Sequence, residues 1–139
     1  MLFENKKLIK EEKGQAFVEF ALVLPVLLLI LCGIIDFGWI FTHQNIVDHC
    51  AREGARYAII HSTDVDAISI ITDYTKSLAP ANIGNSLDVD VTFSNTISPR
   101  LGDVTVQISG RIDVLTPLIG LYTKEQSIEL NSSCTMRVE

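Results

Sequence analysis

The hydrophobic and polar positions divide the chain into an apolar N-terminal stretch and a mixed remainder. Phe20–Ile35 carries no charged residue, and with Ala16–Val18 the apolar stretch contains one ionisable group, Glu19. At about 1.5 Å per helical residue, a stretch of ~20 residues spans roughly 30 Å, which is the hydrocarbon thickness of a bilayer. The pattern therefore predicts a membrane-spanning helix near the N-terminus.

Charged residues flank this stretch unevenly. The residues before it include four lysines, partly offset by three glutamates: Lys6, Lys7, Lys10, Lys13, Glu4, Glu11 and Glu12. After it come Asp36 and Asp48, and no lysine or arginine appears before Arg52. By the positive-inside rule the N-terminus lies in the cytoplasm and everything after Asp36 is exported. We expect a single-pass protein of the cytoplasmic membrane with its C-terminal domain outside.

Three interpretations compete for the apolar stretch. A cleaved secretory signal has a shorter apolar core followed by small residues at the cut, whereas this run continues into Asp36–Phe41. A lipoprotein would be acylated at Cys32, but no small residue precedes that cysteine in Leu29–Leu31. A retained anchor fits best. Glu19 either lies at the membrane interface or is an intramembrane acid, which is by default a functional hypothesis.

The remaining chain has a helical period first and a strand period later. Apolar or small residues recur at helical spacing up to about residue 60, at Ile40, Val47, Cys50, Gly54 and Ala58. They predict one helix over 15–60, about 69 Å long, kinked at Pro25. A second helix should begin near Thr63, with Asp66 completing a capping box, and end before Pro80. Its predicted buried side consists of Val65, Ile68, Ile71 and Leu78.

Three later segments alternate with a period of two. They are Leu87–Ser94, Asp103–Val114 and Ser127–Val138. Such alternation predicts strands with one buried face, arranged as an antiparallel meander whose apolar side covers the helix stripe. The segment Leu115–Tyr122 is too apolar for a solvent loop, so it covers an end of the core or meets a partner.

Composition and charge narrow the function further. Hydrophobic residues make up 47% and charged residues 20% of the 139 residues, and the mean hydropathy is +0.31. These values exclude a disordered protein. The net charge of −6 and the absence of a basic stripe argue against a nucleic-acid partner. Three cysteines are too few for a disulfide-scaffolded miniprotein.

A short motif precedes the apolar run. A basic leader ends in Lys13-Gly14, four residues follow, and then comes Glu19-Phe20. This resembles the class III signal of type IV prepilins, especially the Gly-x-x-x-x-Glu-Tyr/Phe form of the tight-adherence (Flp) branch. Together with Ala51–Ala58, read as Ala-Arg-Glu-Gly-Ala-Arg-Tyr-Ala, it resembles the TadE-like family of pilus-assembly proteins. The resemblance covers roughly residues 14–58.

The resemblance implies a processing step and an assembly role. A prepilin peptidase, a membrane-embedded aspartyl peptidase, would cut between Gly14 and Gln15. Glu19 would then lie one helical turn from the new amine of Gln15, so the two charges could pair within or between subunits and offset desolvation. Gln15 differs from the Phe usual at this position in type IVa pilins, which leaves N-methylation open. Implied partners are other pilin and pseudopilin subunits, the inner-membrane pilus assembly platform and membrane lipid.

The implied fold class is α+β and pilin-like: a long N-terminal transmembrane helix packed against a small antiparallel sheet, with one extra helix. The expected domains are a leader over 1–14, a membrane half of the helix over 15–35 and an extracytoplasmic domain over 36–139. Arg52, Glu53 and Arg56 are candidate subunit contacts, although the small residues between them would equally permit close packing of the sheet.

Two of the three cysteines fall in the expected extracytoplasmic domain. Cys50 and Cys134 should both face the core outside the cytoplasm, where they could form a disulfide or remain buried thiols.

No nucleophile–base pair, phosphate loop, cofactor motif or metal-ligand spacing is present, so we expect no catalysis, cofactor or metal. The main alternative function is an uncleaved single-pass membrane anchor carrying an extracytoplasmic binding domain; a lipoprotein and an enzyme rank below it.

Overall fold

The computed structural model describes residues 2–95, 102–116 and 127–138. The helices are α1 (Leu2–His61), α2 (Ala67–Leu78) and the single turn α3 (Ala81–Gly84). The strands are β1 (Asp88–Phe93), β2 (Asp103–Asp113) and β3 (Ser127–Arg137). The three strands form one antiparallel sheet in the order β1-β2-β3, and this sheet packs on the second half of α1. The α+β class predicted from the sequence is confirmed.

Helix α1 is longer than predicted. It ends at His61, as the pattern indicated, but it begins at Leu2 rather than at residue 15. The leader is rich in Leu, Glu and Lys, which have high intrinsic helix propensity, so it extends the helix instead of preceding it. Pro25 lies inside the helix, where the hydrogen bond it cannot donate is lost.

The stripe predicted on α1 is the face that the rest of the domain covers. Val47, Cys50 and Ala58 are fully buried, Gly54 is buried and Ile40 is half-buried. The stripe is wider than predicted, since Ala51 and Ala55 are also fully buried. Because these side chains are small, the sheet and α2 both approach the helix backbone closely.

The start of α2 corrects one prediction. The helix begins at Ala67, and its N-cap residue Asp66 has a left-handed conformation (φ 65°, ψ 30°) with no side-chain capping bond. A capping side chain usually needs an extended N-cap backbone to reach the first-turn amides, and Asp66 does not have one. The predicted capping box is wrong as the start of α2, because the N-cap is Asp66 and not Thr63. The turn before the helix instead carries a hydrogen bond from His61 Nδ1 to the Asp64 carboxylate, at 2.6 Å.

The buried side of α2 is only partly the predicted one. Ile71 is fully buried and Leu78 is half-buried, but Val65 and Ile68 are 86% and 55% exposed. Val65 precedes the helix, and the late start removes it from the helical face. Thr75, a polar residue absent from the prediction, is fully buried one turn after Ile71. The helix ends before Pro80, as predicted, because the residue preceding a proline is pushed into an extended conformation.

The sheet follows the predicted alternation. Register pairs Val91 with Val106 and Val106 with Cys134, so the inward positions of all three strands share one face. Val89, Val91, Val104, Val106, Ile108, Ile112 and Leu130 are buried on that face. The strand boundaries and the meander are confirmed to within one or two residues. Apart from Leu115 and Thr116, the apolar Leu115–Tyr122 segment lies outside the described residues.

Candidate functional site

The processing and assembly residues predicted from the sequence lie together on the exposed N-terminal part of α1. Gly14, Gln15, Glu19 and Phe20 are all exposed. The side-chain amide Nε2 of Gln15 donates a hydrogen bond to Glu19 Oε1 at 3.3 Å. The helix therefore places Glu19 one turn from Gln15, which is the spacing that the assembly hypothesis requires.

The backbone around Gly14 is helical and unobstructed. A Cβ built on Gly14 would have no atom within 4 Å, so packing does not explain a glycine at this position. Peptidases bind the backbone in an extended form, which means that the helix would have to unwind locally before cleavage between Gly14 and Gln15. A glycine lowers this cost, since it destabilises a helix interior by roughly 1 kcal/mol relative to alanine.

The apolar half of α1 is not covered by the domain. Gly14–His61 is long and apolar enough to cross a membrane, and its most hydrophobic window, of mean hydropathy 2.8, is not buried in the protein. Large apolar side chains are exposed along its length, including Phe17, Leu22 and Ile34. Cys32 is half-buried within this half. The helix is thus a candidate membrane span.

The candidate contact residues in the second half of α1 are exposed or half-exposed. Arg56 Nη1 lies 3.3 Å from Glu53 Oε1, with the arginine side chain 69% exposed and the glutamate 34% exposed. Arg52 is exposed. Such i,i+3 ion pairs on a helix contribute only tenths of a kcal/mol. Both guanidinium groups consequently remain accessible for contact with another molecule.

The small residue between these charges packs against α2 rather than against the sheet. A Cβ on Gly54 would lie 2.5 Å from Thr75 Oγ1 and 3.1 Å from Thr75 Cγ2. The Thr75 hydroxyl donates to the Ile71 carbonyl at 2.7 Å, which fixes its side chain. Tyr57 stacks on Tyr74, with ring centroids 4.0 Å apart. The second half of the Ala51–Ala58 motif is therefore where α2 is held against α1.

The predicted cysteine pair shares one core. Cys50 is fully buried, and Cys134 is half-buried and packed against the same apolar cluster. Both are free thiols in the structure, so the disulfide stays a prediction. Burial raises the pKa of the Cys50 thiol, partly opposed by a backbone hydrogen bond. The thiol form is therefore favoured, and reaction through the thiolate would be slow.

Sequence reasoning missed the environment of Asp36, which it treated only as a charge after the apolar run. Asp36 is 1% exposed. Its carboxylate accepts a hydrogen bond from the backbone N–H of Thr116 at 2.9 Å and a second, short one from the Thr116 hydroxyl. The partner lies 80 residues away in the sequence, so no local pattern could have identified it.

The neighbouring polar side chains of α1 are also bonded. The indole N–H of Trp39 donates to the Asp113 carbonyl at 3.2 Å. His43 is buried, and its Nδ1 lies 2.8 Å from the Trp39 carbonyl, so this nitrogen carries the proton and donates it. The Trp39 bond joins the end of β2 to α1 just after the apolar run, and the His43 bond lies within α1.

The described residues contain no group of three or more His, Cys, Asp or Glu side chains arranged to hold a metal ion. One cavity, of about 770 Å³, is an open groove between the start of α2 and strand β1, lined by Ser62, Asp66, Ala67, Ile68, Ser69, Val91, Thr92 and Phe93.

Comparison with known proteins identifies the N-terminal segment. Residues 14–56 match the family described as TadE-like protein. This match spans the Gly14–Phe20 motif, the apolar run and most of the Ala51–Ala58 motif. The family implies a part in tight-adherence pilus assembly. Searches of curated proteins and of solved structures return no match.

Proposed function

This chain is TadE-like over residues 14–56, and from that premise we propose that it is a minor pilin or pseudopilin of a tight-adherence (Flp-type) pilus assembly or secretion system. It is inserted into the cytoplasmic membrane as a prepilin, with the leader inside and the domain outside. A prepilin peptidase cuts it between Gly14 and Gln15. It then contacts other pilin or pseudopilin subunits and the inner-membrane assembly platform.

The observation that carries this proposal is the Gln15–Glu19 contact on an uncovered apolar helix. In the uncleaved chain the Gln15 side-chain amide already donates a hydrogen bond to the Glu19 carboxylate. Cleavage adds a charged α-amine to the same residue, one turn from the carboxylate. In an apolar surrounding an unpaired carboxylate costs several kcal/mol, so the new amine makes Glu19 compatible with a subunit interface.

Cleavage also changes the charge of the protein. Loss of residues 1–14 removes four of 11 Lys and Arg residues and three of 17 Asp and Glu residues. The mature side chains then comprise 7 basic and 14 acidic groups, a net charge of −7. The cytoplasmic lysines that hold the leader at the membrane surface are lost in this step, which leaves the helix without its basic anchor.

The proposal is tested by replacing the glycine at the cut. Gly14→Phe fills the open space at the processing position and should abolish removal of the leader. Gly33→Phe is the matched control, because Gly33 is also a helical glycine with no atom within 4 Å of a built Cβ. Retention of processing in Gly14→Phe, or its loss in both variants, would contradict the assignment of the cleavage site.

One observation favours the alternative of an uncleaved anchor with a binding domain. The groove between α2 and β1 is open and largely apolar, with Val65 and Ile68 exposed near it. A protein that keeps its leader in cells that contain the peptidase would favour this alternative, and the groove would then be the place to seek a ligand.

A further inference from the structure

The carboxylate of Asp36 is hydrogen-bonded within the protein at the end of the apolar run of α1. It is the first charged residue after the apolar run, yet it is almost completely buried and bonded to Thr116. A charged residue that ends a membrane span ordinarily faces water or the lipid headgroups. Here the protein itself supplies the hydrogen bonds that water would otherwise make.

Helix length places Asp36 at the edge of the hydrocarbon layer. From Gln15 to Asp36 the helix rises 21 residues, about 31 Å at 1.5 Å per residue. An average tilt of about 20° shortens the component along the membrane normal to about 30 Å, which equals the thickness of the hydrocarbon core. If Gln15 lies at the inner boundary, Asp36 therefore lies at the outer boundary, where an unbonded carboxylate is costly.

Large apolar side chains continue past Asp36 on both sides of the bonded pair. On α1, Phe37 and Phe41 are 71% and 61% exposed, and their rings stack with centroids 6.3 Å apart. Next to Thr116, Leu115 is 56% exposed. The helix rises about 6 Å from Phe37 to Phe41. This distance is close to the thickness of the headgroup layer on one side of a bilayer, which is roughly 5–7 Å. We call Phe37, Phe41, Leu115 and the neighbouring Trp39 the collar.

Polar side chains close to the collar on α1 make hydrogen bonds within the protein. Thr42 Oγ1 donates to the Gly38 carbonyl and Asn45 Nδ2 donates to the Phe41 carbonyl, both at 2.8 Å. The indole of Trp39 is bonded to Asp113. Side chains whose donors are satisfied within the protein lose little when they leave water. The level of the collar is thus suited to a partly dehydrated environment.

We propose that the collar lies in the lipid interface of the membrane that α1 spans, and that the Asp36–Thr116 bonds hold the end of β2, with Leu115 and Thr116, at this depth. The partner is the lipid of the bilayer itself. The inference rests on the membrane anchoring in the proposed function, but neither on cleavage nor on pilus assembly. It means that the domain is partly embedded at its base rather than held above the membrane by the helix.

Continuity favours lipid over a second copy of the chain as the occupant. Exposed apolar side chains continue from the membrane half of α1, at Ile34 and Ile35, to Phe37 and Phe41 of the collar, and Leu115 adds one from the β2 side. A lipid layer reaches every side of the helix that the domain leaves open at this level. A protein partner would have to cover Phe41 on the helix and Leu115 on the domain together.

The single tryptophan of the chain provides a native depth probe. The full-length protein is placed in phosphatidylcholine vesicles that contain lipids brominated either near the headgroup or near the chain end. Trp39 should lose emission mainly to the shallow bromines and be protected from aqueous acrylamide. Strong acrylamide quenching without quenching by bromine would overturn the inference.

A second probe separates the collar from the helix. Leu115→Trp in a Trp39→Phe background moves the tryptophan to the β2 side, and Ser133→Trp in the same background is the control on the exposed sheet face. The L115W emission should be quenched by shallow bromines, and that of S133W by acrylamide. Adding Thr116→Val, which removes one of the two bonds to Asp36, should reduce the bromine quenching of L115W.

The outcomes distinguish this inference from the proposed function. Resistance to alkaline carbonate extraction shows that each variant remains in the membrane. A membrane-integrated L115W protein quenched by acrylamide, but not by bromine, would overturn the collar and leave the anchor intact. Protection from both quenchers that disappears on dilution into excess lipid would show a second copy at the collar, which also overturns the inference. Extraction of the wild type would contradict the anchor itself.

Discussion

Gly54 is the position where the packing of α2 on α1 depends most directly on a missing side chain. Alanine there would place its Cβ 2.5 Å from Thr75 Oγ1. Thr75 is fully buried, and its hydroxyl is bonded to the Ile71 carbonyl at 2.7 Å. It cannot rotate away without breaking that bond, so Gly54→Ala must move α2 or strain Thr75.

Two opposing effects set the magnitude. Overpacking a buried contact by one methyl group costs about 1–3 kcal/mol, whereas alanine gains about 1 kcal/mol over glycine in a helix interior. Gly38→Ala is the matched control, because a Cβ on Gly38 has no atom within 4 Å and only the second effect applies. We expect Gly38→Ala to raise the free energy of unfolding, and Gly54→Ala to lie about 1–3 kcal/mol below that control.

A double-mutant cycle assigns the difference to the contact. Thr75→Ala removes the two nearest atoms, Oγ1 and Cγ2, and keeps only Cβ at 3.3 Å. Gly54→Ala should therefore cost less in that background, and the coupling energy should be about 1–3 kcal/mol. Urea unfolding of the full chain in detergent micelles, followed by pulse proteolysis of the domain, measures each variant. The reasoning is refuted if Gly54→Ala and Gly38→Ala change stability equally, or if the two substitutions at the contact are additive.

Three other changes have defined outcomes. Glu19→Ala should leave processing after Gly14 intact and abolish incorporation into pili, because the amine of Gln15 loses its partner; unchanged incorporation would show that the charge pairing is wrong. Burial raises the pKa of Cys50 above its unfolded value of 9.0, so its contribution to stability relative to Cys50→Ala should be complete below pH 9.0 and be lost as the pH rises through the folded pKa. Urea unfolding of the reduced wild type and of reduced Cys50→Ala, from neutral to strongly alkaline pH, measures the difference in unfolding free energy between them. A difference that does not change with pH would contradict this expectation. Arg56→Ala should change the unfolding free energy by no more than about 0.5 kcal/mol, since its pair with Glu53 is exposed; a larger loss in the same assay would mean that the pair is structural.

Elements governed by local patterns were predictable from the sequence. The alternation in β2 fixes which side chains face the core, because a shift by one residue would bury Thr105 and Gln107 and expose Val106. The end of α1 near residue 60 followed from its stripe. The Gly14–Phe20 motif likewise gave the spacing of Gln15 and Glu19 that the helix realises.

Features that depend on distant contacts were not predictable. The start of α2 is shifted because Asp66 takes a left-handed conformation; aspartate tolerates this conformation better than most residues, but nothing local to the sequence singles out Asp66 for it. Asp36 is bonded to Thr116, which follows β2 and lies 80 residues away in the sequence. The role of Gly54 was half-predicted: close packing was expected there, but the neighbour is α2 rather than the sheet. In each case the deciding contact joins elements that are separate in the sequence.

The most direct test of the proposed function is the intact mass of the protein purified from membranes of cells with and without the prepilin peptidase. The account predicts that the peptidase-containing cells yield a protein that begins at Gln15, with the mass of residues 1–14 lost, and that the deficient cells yield the full-length chain. A full-length mass from both would contradict processing and leave an uncleaved membrane anchor.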